Sequence, residues 1–338
     1  MSIRTTAVGS WWVQPEYEKE LARYHAGELS AEEGRRVLDA AATKAIAEQR
    51  ELGLDEWTGG EYFTYNFIYH MHQALTGVRI DREEADDPFD YDDHAHATIV
   101  GEIGAPDGLG YVAAYERESS LPGGVKKATV VAPWEVAVAA IDQMDELRRQ
   151  TGNLTRLVND ELRGLAEAGC EHVQLDSPIF GVLVNTERMT AAEAAELLAP
   201  CFEGVAATKG LHICNGNMKG RPMSGVLSCA PWVEILQGLD GVIDIAHLEC
   251  SYFSEWLERD AFKEMPNDME LAAGIVDEAN YWVEPVDKIR QRTEDWAAVV
   301  GEERLWIAPS CGFGRHPARN VPVLREKIEN MVEAAASF

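Results

Sequence analysis

The chain of 338 residues has little positive charge and no long apolar run. Lysine and arginine number 30 against 58 aspartates and glutamates, which gives a formal net charge of −28. A chain this negative repels phosphate polymers and anionic bilayers, so we exclude nucleic acid and a membrane surface as partners. The N-terminus lacks the apolar core of a signal peptide, and no run of about 18 apolar residues is present. These absences predict a soluble, cytoplasmic protein.

Cysteine is scarce as well. In a reducing compartment, a few irregularly spaced cysteines without a Cys-x-x-Cys pair form no disulfide framework, so each is a core residue, a metal ligand or a nucleophile. The six cysteines are Cys170, Cys201, Cys214, Cys229, Cys250 and Cys311.

The apolar pattern alternates short β-type runs with amphipathic helical stretches. No linker rich in proline, serine or glycine divides the chain and no internal repeat is evident, so residues 1–338 are predicted to form one domain. Eight strands separated by helices favour an α/β fold, the (β/α)8 TIM barrel. We expect the strands at residues 3–8, 53–58, 127–131, 171–175, 210–214, 242–248, 270–276 and 305–309. We expect helices at residues 31–52, 154–169, 190–202, 285–300 and 321–336.

Residues 76–124 interrupt this alternation. They contain a charged run at 81–87 and a group of glycines between 101 and 124, which indicate an insertion after the second strand that holds an antiparallel hairpin. Insertions at this position commonly cover the mouth of a barrel.

Polar side chains follow the predicted strands, at the end of a parallel barrel that carries the active site. His212 and Cys214 end the fifth strand and share one face, because strand side chains alternate. Glu249 and Cys311 follow strands six and eight and would flank the same point. One imidazole, one carboxylate and two thiolates form a set typical of zinc. The alternative is that both cysteines are ordinary buried residues and His212 is a hydrogen-bonded core residue.

Other groups near the strand ends keep alternatives open. His247 and Cys250 compete as ligands with the carboxylate beside them. Asp277 follows strand seven, and Arg315 and His316 follow strand eight, where a cation or a proton donor would act on a bound substrate. These three residues are candidate catalytic groups.

Short motifs recur in order over nearly the whole chain. They are Gly9-Ser10, Gly60-Glu61, Val173-Gln174-Leu175-Asp176, His212-Ile213-Cys214, Glu249 and Trp306-Ile307-Ala308-Pro309-Ser310-Cys311-Gly312. In this order they resemble the catalytic domain of cobalamin-independent methionine synthase, a zinc-dependent (β/α)8 barrel. The resemblance implies that Zn2+ is held by His212, Cys214, Glu249 and Cys311. It also implies that Ser10, Glu61 and Asp176 bind the substrate.

The activity implied by the resemblance is that of a zinc-dependent methyltransferase acting on the sulfur of homocysteine or a related thiol. A free thiol is mostly protonated at neutral pH, and coordination to a metal makes it a thiolate. The expected partners are a small thiol and an alkyl donor, most simply a methyl donor. A corrinoid protein as the donor and self-association of the chain both stay open.

The sequence departs from the family at two positions of the site. Ala279 stands where the family has a histidine proposed to protonate the folate leaving group, and Ser177 replaces the second acid of an Asp-Glu pair. The donor is therefore not fixed as folate. The single-domain branch that includes epoxyalkane:coenzyme M transferase is the alternative, although Glu61 and Asp176 suit a cationic amine better than a sulfonate.

Three further alternatives stay open. One is a metal-free barrel resembling uroporphyrinogen decarboxylase, and another is a protein that binds a thiol without turnover. The third is structural, since Glu61 and Asp176 could form a salt bridge at the barrel rim or cap a helix. The aromatic residues around Trp11, Trp12 and Tyr62 line the mouth or, as such clusters more often do, pack a helix or a subunit contact.

Overall fold

The structure is a computed structural model that describes residues 3–64, 67–82, 95–138, 143–217, 221–225, 228–251, 258–315 and 321–338. Its strands are β1 (Arg4–Thr5), β2 (Thr76–Arg82), β3 (Ala95–Gly104), β4 (Lys127–Val131), β5 (His172–Asp176), β6 (Thr208–Ile213), β7 (Ile245–Glu249), β8 (Glu270–Val276) and β9 (Leu305–Pro309). Its α-helices are α1 (Pro15–His25), α2 (Ala31–Leu52), α3 (Phe67–Ala74), α4 (Tyr111–Ser119), α5 (Met144–Glu167), α6 (Pro178–Asn185), α7 (Ala191–Leu198), α8 (Ala230–Gly238), α9 (Val286–Val300) and α10 (Val321–Ala335). None of these helices combines the length and the apolar character needed to cross a bilayer.

Seven of the strands form one curled parallel sheet in the order β1-β9-β8-β7-β6-β5-β4. Helices lie between successive strands of this sheet, so the fold is α/β. The predicted bounds of β4, β8, β9 and α2 are confirmed. Helix α2 has strong local signals at both ends. Ser30 and Glu33 form a reciprocal capping box, and Gly53 closes the helix with a left-handed φ of 88°.

The strand predicted at residues 53–58 is wrong, since this segment forms no strand. Gly53 still belongs to the helix terminus, and the Asp55 carboxylate accepts the backbone N–H of Thr5 at 2.8 Å and its hydroxyl at 3.0 Å. These side-chain bonds to Asp55 replace part of a regular strand ladder.

Residues 55–60 nevertheless lie between the two outer strands of the sheet, and we call this segment the seam. The amide of Asp55 donates to the carbonyl of Thr5 at 3.2 Å, and the carbonyl of Trp57 accepts from Lys127 at 3.3 Å. A parallel bridge also joins Ser10 to Gly60. The seam thus contacts β1 on one side and β4 on the other.

Residues 76–124, predicted to contain an antiparallel hairpin, hold the antiparallel pair β2–β3 and then helix α4. This helix was not predicted. The carboxylate of Glu161 on α5 caps it by accepting from the amides of Leu109, Gly110 and Val112. Three backbone amides held by one acid explain why a glycine-rich stretch begins a helix.

One face of the sheet is polar across three neighbouring strands. On β5, His172, Gln174 and Asp176 alternate with Val173 and Leu175, which belong to the main apolar core. The register places Asp176 beside His212 on β6, and His212 beside His247 on β7. The polar face therefore ends in a row of ionisable side chains at the carboxyl ends of these strands.

Candidate active site

Three potential metal donors meet beyond the ends of β6 and β9. One ligand atom each of His212, Cys214 and Cys311 lies within 4.8 Å of the others, and the two sulfur atoms are 3.9 Å apart. His212 and Cys214 are buried, while Cys311 is partly exposed. Two strand ends thus deliver an imidazole and two thiols to one point that a small ligand can approach.

The imidazole of His212 is oriented for coordination. Its Nδ1 lies 3.0 Å from the carbonyl oxygen of His247, and because a carbonyl only accepts, Nδ1 carries the proton. Nε2 is buried and has no hydrogen-bond partner among the described residues. Burial lowers the pKa of His212 to about 3. The ring is therefore neutral, with the Nε2 lone pair directed at no other protein group.

The thiol of Cys214 is protonated in the protein alone. Its hydrogen bond with the Cys311 sulfur raises its pKa well above the ordinary value, and burial and the nearby charges of Cys311 and Glu249 act in the same direction. The amide of Gly216 donates to the Cys214 sulfur at 3.4 Å. A divalent cation at this point would favour the thiolate over the protonated thiol, because it stabilises thiolates directly.

Glu249, the last residue of β7, lies next to this cluster but outside the 4.8 Å group found among the described residues. Its Oε2 accepts from the backbone and side-chain nitrogens of Asn215, at 2.7 Å and 3.0 Å. The competing ligand pair does not join the group either. His247 donates from Nε2 to the carbonyl of Pro309 at 3.0 Å, and Cys250 is absent from the group in the same described ranges.

Glu278 is a buried acid that the sequence analysis missed. Its Oε1 accepts from the side-chain amide of Asn217 at 3.0 Å, and its Oε2 is hydrogen-bonded to the Ser310 hydroxyl. Burial and, to a lesser degree, the charge of Asp277 raise its pKa to about 7. Glu278 thus connects the loop after β6 with the loop that carries Cys311. The acidic pair that follows β8 was visible in the sequence, but only Asp277 was selected from it.

The three candidate catalytic groups are not brought to the donor cluster by any described contact. The Asp277 carboxylate accepts from the amide of Ala279 at 2.8 Å and from the side-chain amide of Asn280, so it organises its own loop. Arg315 ends a short 3-10 helix, Phe313–Arg315, but its side chain lies outside the described residues, as does the whole of His316.

An acidic pocket lies on the neighbouring strands. The hydroxyl of Thr129 donates to Oε1 of Glu61 at 2.7 Å, and Glu61 itself has a left-handed φ of 62°. Such a conformation is costly for a non-glycine residue and is often kept for function. A Cβ atom at Gly9 would overlap the Glu61 carboxylate, so glycine is required there for space.

Asp176 is the second acid of the pocket, and register places it beside His212. Burial and then the charge of Glu61 raise its pKa well above the ordinary value, although Gln174 donates to its carboxylate at 2.7 Å. The buried ammonium of Lys127 donates to Gln174 at 3.2 Å. One cation thus faces several buried carboxyl groups at this end of the sheet.

Ser10 joins the loop after β1 to the loop that carries Cys311. Its Oγ accepts from the amide of Gly314 at 3.2 Å, and its carbonyl accepts from the amide of Phe313 at 3.1 Å. Trp11 and Trp12 are stacked with ring centroids 3.9 Å apart, and both make T-shaped contacts with the ring of Phe313, at 5.6 Å and 5.3 Å. Both tryptophans are buried, so this part of the aromatic cluster packs the two loops together.

Comparisons with known proteins agree with this architecture. A family model described as "Cobalamin-independent synthase, Catalytic domain" matches residues 3–337. A solved B12-independent methionine synthase from Shewanella sp. W3-18-1, in complex with selenomethionine, is similar with a TM-score of 0.75 and 20% identity over 100% of this chain and 98% of that chain.

Curated relatives are similar over nearly the whole chain. A 5-methyltetrahydropteroyltriglutamate–homocysteine methyltransferase from Acidithiobacillus ferrooxidans is 24% identical over 98% of this chain, which spans only 41% of that protein. A methionine synthase from Sulfolobus acidocaldarius is 20% identical over 98% of this chain and 91% of that protein. The chain therefore spans less than half of the first relative and most of the second.

Proposed function

Since the chain belongs to the family of the cobalamin-independent synthase catalytic domain, we propose that it transfers a methyl group to the sulfur of homocysteine or a closely related thiol. The observation that carries this proposal is the meeting of His212, Cys214 and Cys311 beside a buried acidic pocket. A thiol substrate needs a cation to become nucleophilic at neutral pH, and an amino group needs carboxylates to hold it. The donor cluster and the acidic pocket are adjacent, because Asp176 on β5 is paired in register with His212 on β6.

The donor set fits Zn2+, with His212, Cys214, Cys311 and Glu249 as the proposed ligands. Nitrogen and sulfur donors are those that zinc prefers, and the unpaired Nε2 of His212 is a buried polar atom that calls for a partner. When bound, zinc supplies the positive charge that makes the substrate thiol a thiolate. Asn215 holds the carboxylate of Glu249 in place, and the carbonyl of His247 holds the imidazole.

Ser10, Glu61 and Asp176 are the proposed binding groups for the amino acid part of the thiol. A cationic amine that enters the pocket relieves the repulsion between Glu61 and Asp176, whereas a sulfonate would increase it. Ser10 holds the loop that carries Cys311, so it aligns the pocket with the donor cluster. The acidic lining thus favours homocysteine over a sulfonated thiol such as coenzyme M.

The seam supports a closed, eight-position barrel as the scaffold of this site. Its backbone contacts Thr5 of β1 and Lys127 of β4, the two strands that would otherwise leave the sheet open. Closure at this point brings Glu61, which directly follows the seam, to the same barrel end as Asp176 and Cys214.

The residues of the site do not select a single methyl donor. Ala279 provides no ionisable side chain, so a leaving group in this protein is protonated by another group or by water. Arg315 and His316 are the proposed alternatives by position in the chain. A folate and a corrinoid are therefore both donors to be assayed.

The first test measures the zinc content of the protein and its binding of homocysteine. Purified protein is expected to contain one zinc ion per chain and to bind homocysteine, and Cys214→Ser and Cys311→Ser are expected to lose both. Cys201→Ser, which alters a buried thiol on the helical side of the fold, is the matched control and should retain both. Zinc is measured by elemental analysis and binding by calorimetry.

The activity is measured as methionine formed from homocysteine, with 5-methyltetrahydropteroyltriglutamate and methylcobalamin as donors in separate assays. Turnover with either donor, lost in the two ligand variants, supports the proposal. A wild-type chain that folds but takes up neither zinc nor homocysteine contradicts it.

A further inference from the structure

Glu118 is a buried acid outside the metal-ligand and substrate-binding sets described above. It lies near the end of α4 and is only 8% exposed. Among the described residues, no donor is hydrogen-bonded to its carboxyl group. A buried carboxyl left in this state costs free energy unless something else binds to it.

The Glu118 carboxyl lies against the seam. A Cβ atom at Gly59 would overlap it, so the absence of a side chain at position 59 makes room for this group. Gly9 makes room for the Glu61 carboxylate in the same way. Gly59 and Gly9 therefore each leave room for a carboxyl group.

A small cavity lies between these two acids. The ionisable side chains that line it are Glu61, Tyr111, Tyr115, Glu118 and Lys127. Glu61 also lines an adjacent narrow cleft together with Asp176. Glu61 thus lines both spaces, one with Asp176 and the other with Glu118.

We propose that Glu118 is a specificity-determining residue that, together with Glu61, holds the ammonium group of the substrate in this cavity. The inference rests on the proposed function, and it adds a third carboxyl group to the two that the family resemblance assigns. It also defines the ligand class: a thiol that carries a primary amine is accepted, and the same thiol without the amine is bound poorly.

The protonation of Glu118 follows from its surroundings. Burial and then the charge of Glu61 raise the pKa of Glu118 to about 8. Lys127 is the facing cation, and the charges that act on it are those of Glu56, Asp176 and Glu61. An ammonium group in the cavity places a positive charge beside Glu118, which lowers the pKa of its carboxyl group. The carboxyl then loses its proton to the solvent and the carboxylate pairs with the ammonium.

The experiment compares homocysteine with 4-mercaptobutanoate, which has the same thiol and carboxylate but no amine. Both are titrated into zinc-loaded protein by calorimetry at about neutral pH, in two buffers of different ionisation enthalpy, so that released protons are counted. The thiol proton is common to both ligands. The wild type is expected to bind homocysteine more tightly and to release more protons with it.

Glu118→Gln is expected to weaken homocysteine binding by about tenfold, as loss of one charge-assisted hydrogen bond predicts. It should also remove most of the amine-dependent proton release and leave 4-mercaptobutanoate binding unchanged. Gly59→Ala, which places a Cβ at the carboxyl position, should reproduce both effects. Glu116→Gln, an exposed acid on the same helix, is the matched control and should behave as the wild type.

The outcomes separate the inference from the proposed function. If Glu118→Gln binds homocysteine with wild-type affinity and wild-type proton release, the inference is wrong, even though the metal site and thiol binding stand. If the zinc-loaded wild type binds neither thiol, the proposed function fails first, and the inference fails with it.

Discussion

At the scale of single residues, the distinctive feature of this protein is the number of acids that it buries near the carboxyl ends of the strands. Burial raises the pKa of Asp176 and Glu135 well above their ordinary values and that of Glu118 to about 8. Each of these groups lowers the stability of the folded chain when it is ionised. Groups kept at such a cost are typical of functional sites.

Glu118 provides a direct test of this cost. Its pKa is raised from an ordinary 4.5 to about 8 in the folded protein, so its favourable contribution is complete below pH 4.5 and is lost as the pH rises through 8. Glu118→Gln removes this dependence. The variant is expected to be on the order of 2 kcal/mol more stable than the wild type at about pH 8, with little gain at about pH 5.

The measurement is urea unfolding at both pH values. Glu116→Gln again serves as the control, because an exposed acid with no buried contact should show the same small difference at each pH. A gain for Glu118→Gln that does not depend on pH would contradict the assignment of a raised pKa.

The residues of the candidate site differ in how far the sequence predicts them. His212 and Cys214 are two positions apart at the end of β6, so the alternation of strand side chains predicts their common face. The carboxyl of Glu118 meets Gly59 only because α4 packs beside the seam, and no local pattern contains that contact. Residues that act through tertiary packing are therefore the ones that the sequence analysis missed.

At the scale of elements, helix α10 fixes the loop that follows β8. Lys327 on this helix is fully buried and pairs with Glu284, also fully buried, at 2.8 Å. Its ammonium also donates to the carbonyls of Asp277, at 2.8 Å, and of Trp282. The same loop carries Glu278, whose carboxylate is hydrogen-bonded to Ser310, the residue before Cys311. Helix α10 therefore supports a loop that contacts the segment carrying Cys311.

Replacing this ammonium should destabilise the protein strongly. Lys327→Met is expected to cost about 3–5 kcal/mol in the free energy of unfolding, because it leaves the Glu284 charge buried with Arg292 3.9 Å away as its remaining ion-pair partner among the described residues. Lys263→Met, which breaks an exposed pair with Asp260, should cost less than about 1 kcal/mol.

Urea unfolding again measures both variants. The double variant Lys327→Met with Glu284→Gln should recover part of the loss, since the unpaired charge is then absent. Equal stability of Lys327→Met and Lys263→Met would show that the buried pair does not support the loop.

The elements that the sequence predicted best are those with strong local signals. Helix α2 has a capping box and a terminal glycine, and β4 is a short run rich in β-branched residues between turns. The strand predicted at residues 53–58, which overlaps the seam, is not formed. The Asp55 carboxylate accepts hydrogen bonds from the amide and the hydroxyl of Thr5, and these bonds replace regular strand pairing. Residue propensities do not predict such side-chain hydrogen bonds to the backbone.

At the scale of the whole molecule, the net charge of −28 acts on stability as well as on the choice of partners. Like charges spread over the surface repel one another in the compact state more than in the expanded chain. Exposed ion pairs such as that of Arg290 with Glu294 offset little of this repulsion.

Salt should therefore stabilise this protein. The Tm is expected to rise by a few degrees between about 10 mM and about 300 mM NaCl, because the Debye length shortens from roughly 30 Å to below roughly 8 Å over that range. Differential scanning calorimetry measures the change, with sucrose of equal osmolality as a control for non-ionic effects. A Tm that falls with added NaCl would mean that specific ion pairs outweigh the overall repulsion.

The stacked pair of Trp11 and Trp12 also gives the site an intrinsic fluorescence signal. Both rings touch Phe313, two residues after Cys311, so a change in the loop that carries this thiol changes the surroundings of two indoles. Their emission is an intrinsic optical reporter, and it needs no attached dye. They are two of nine tryptophans, so the part of an emission change on rapid mixing with a metal or a thiol that is lost in Trp11→Phe and Trp12→Phe follows loading of the site.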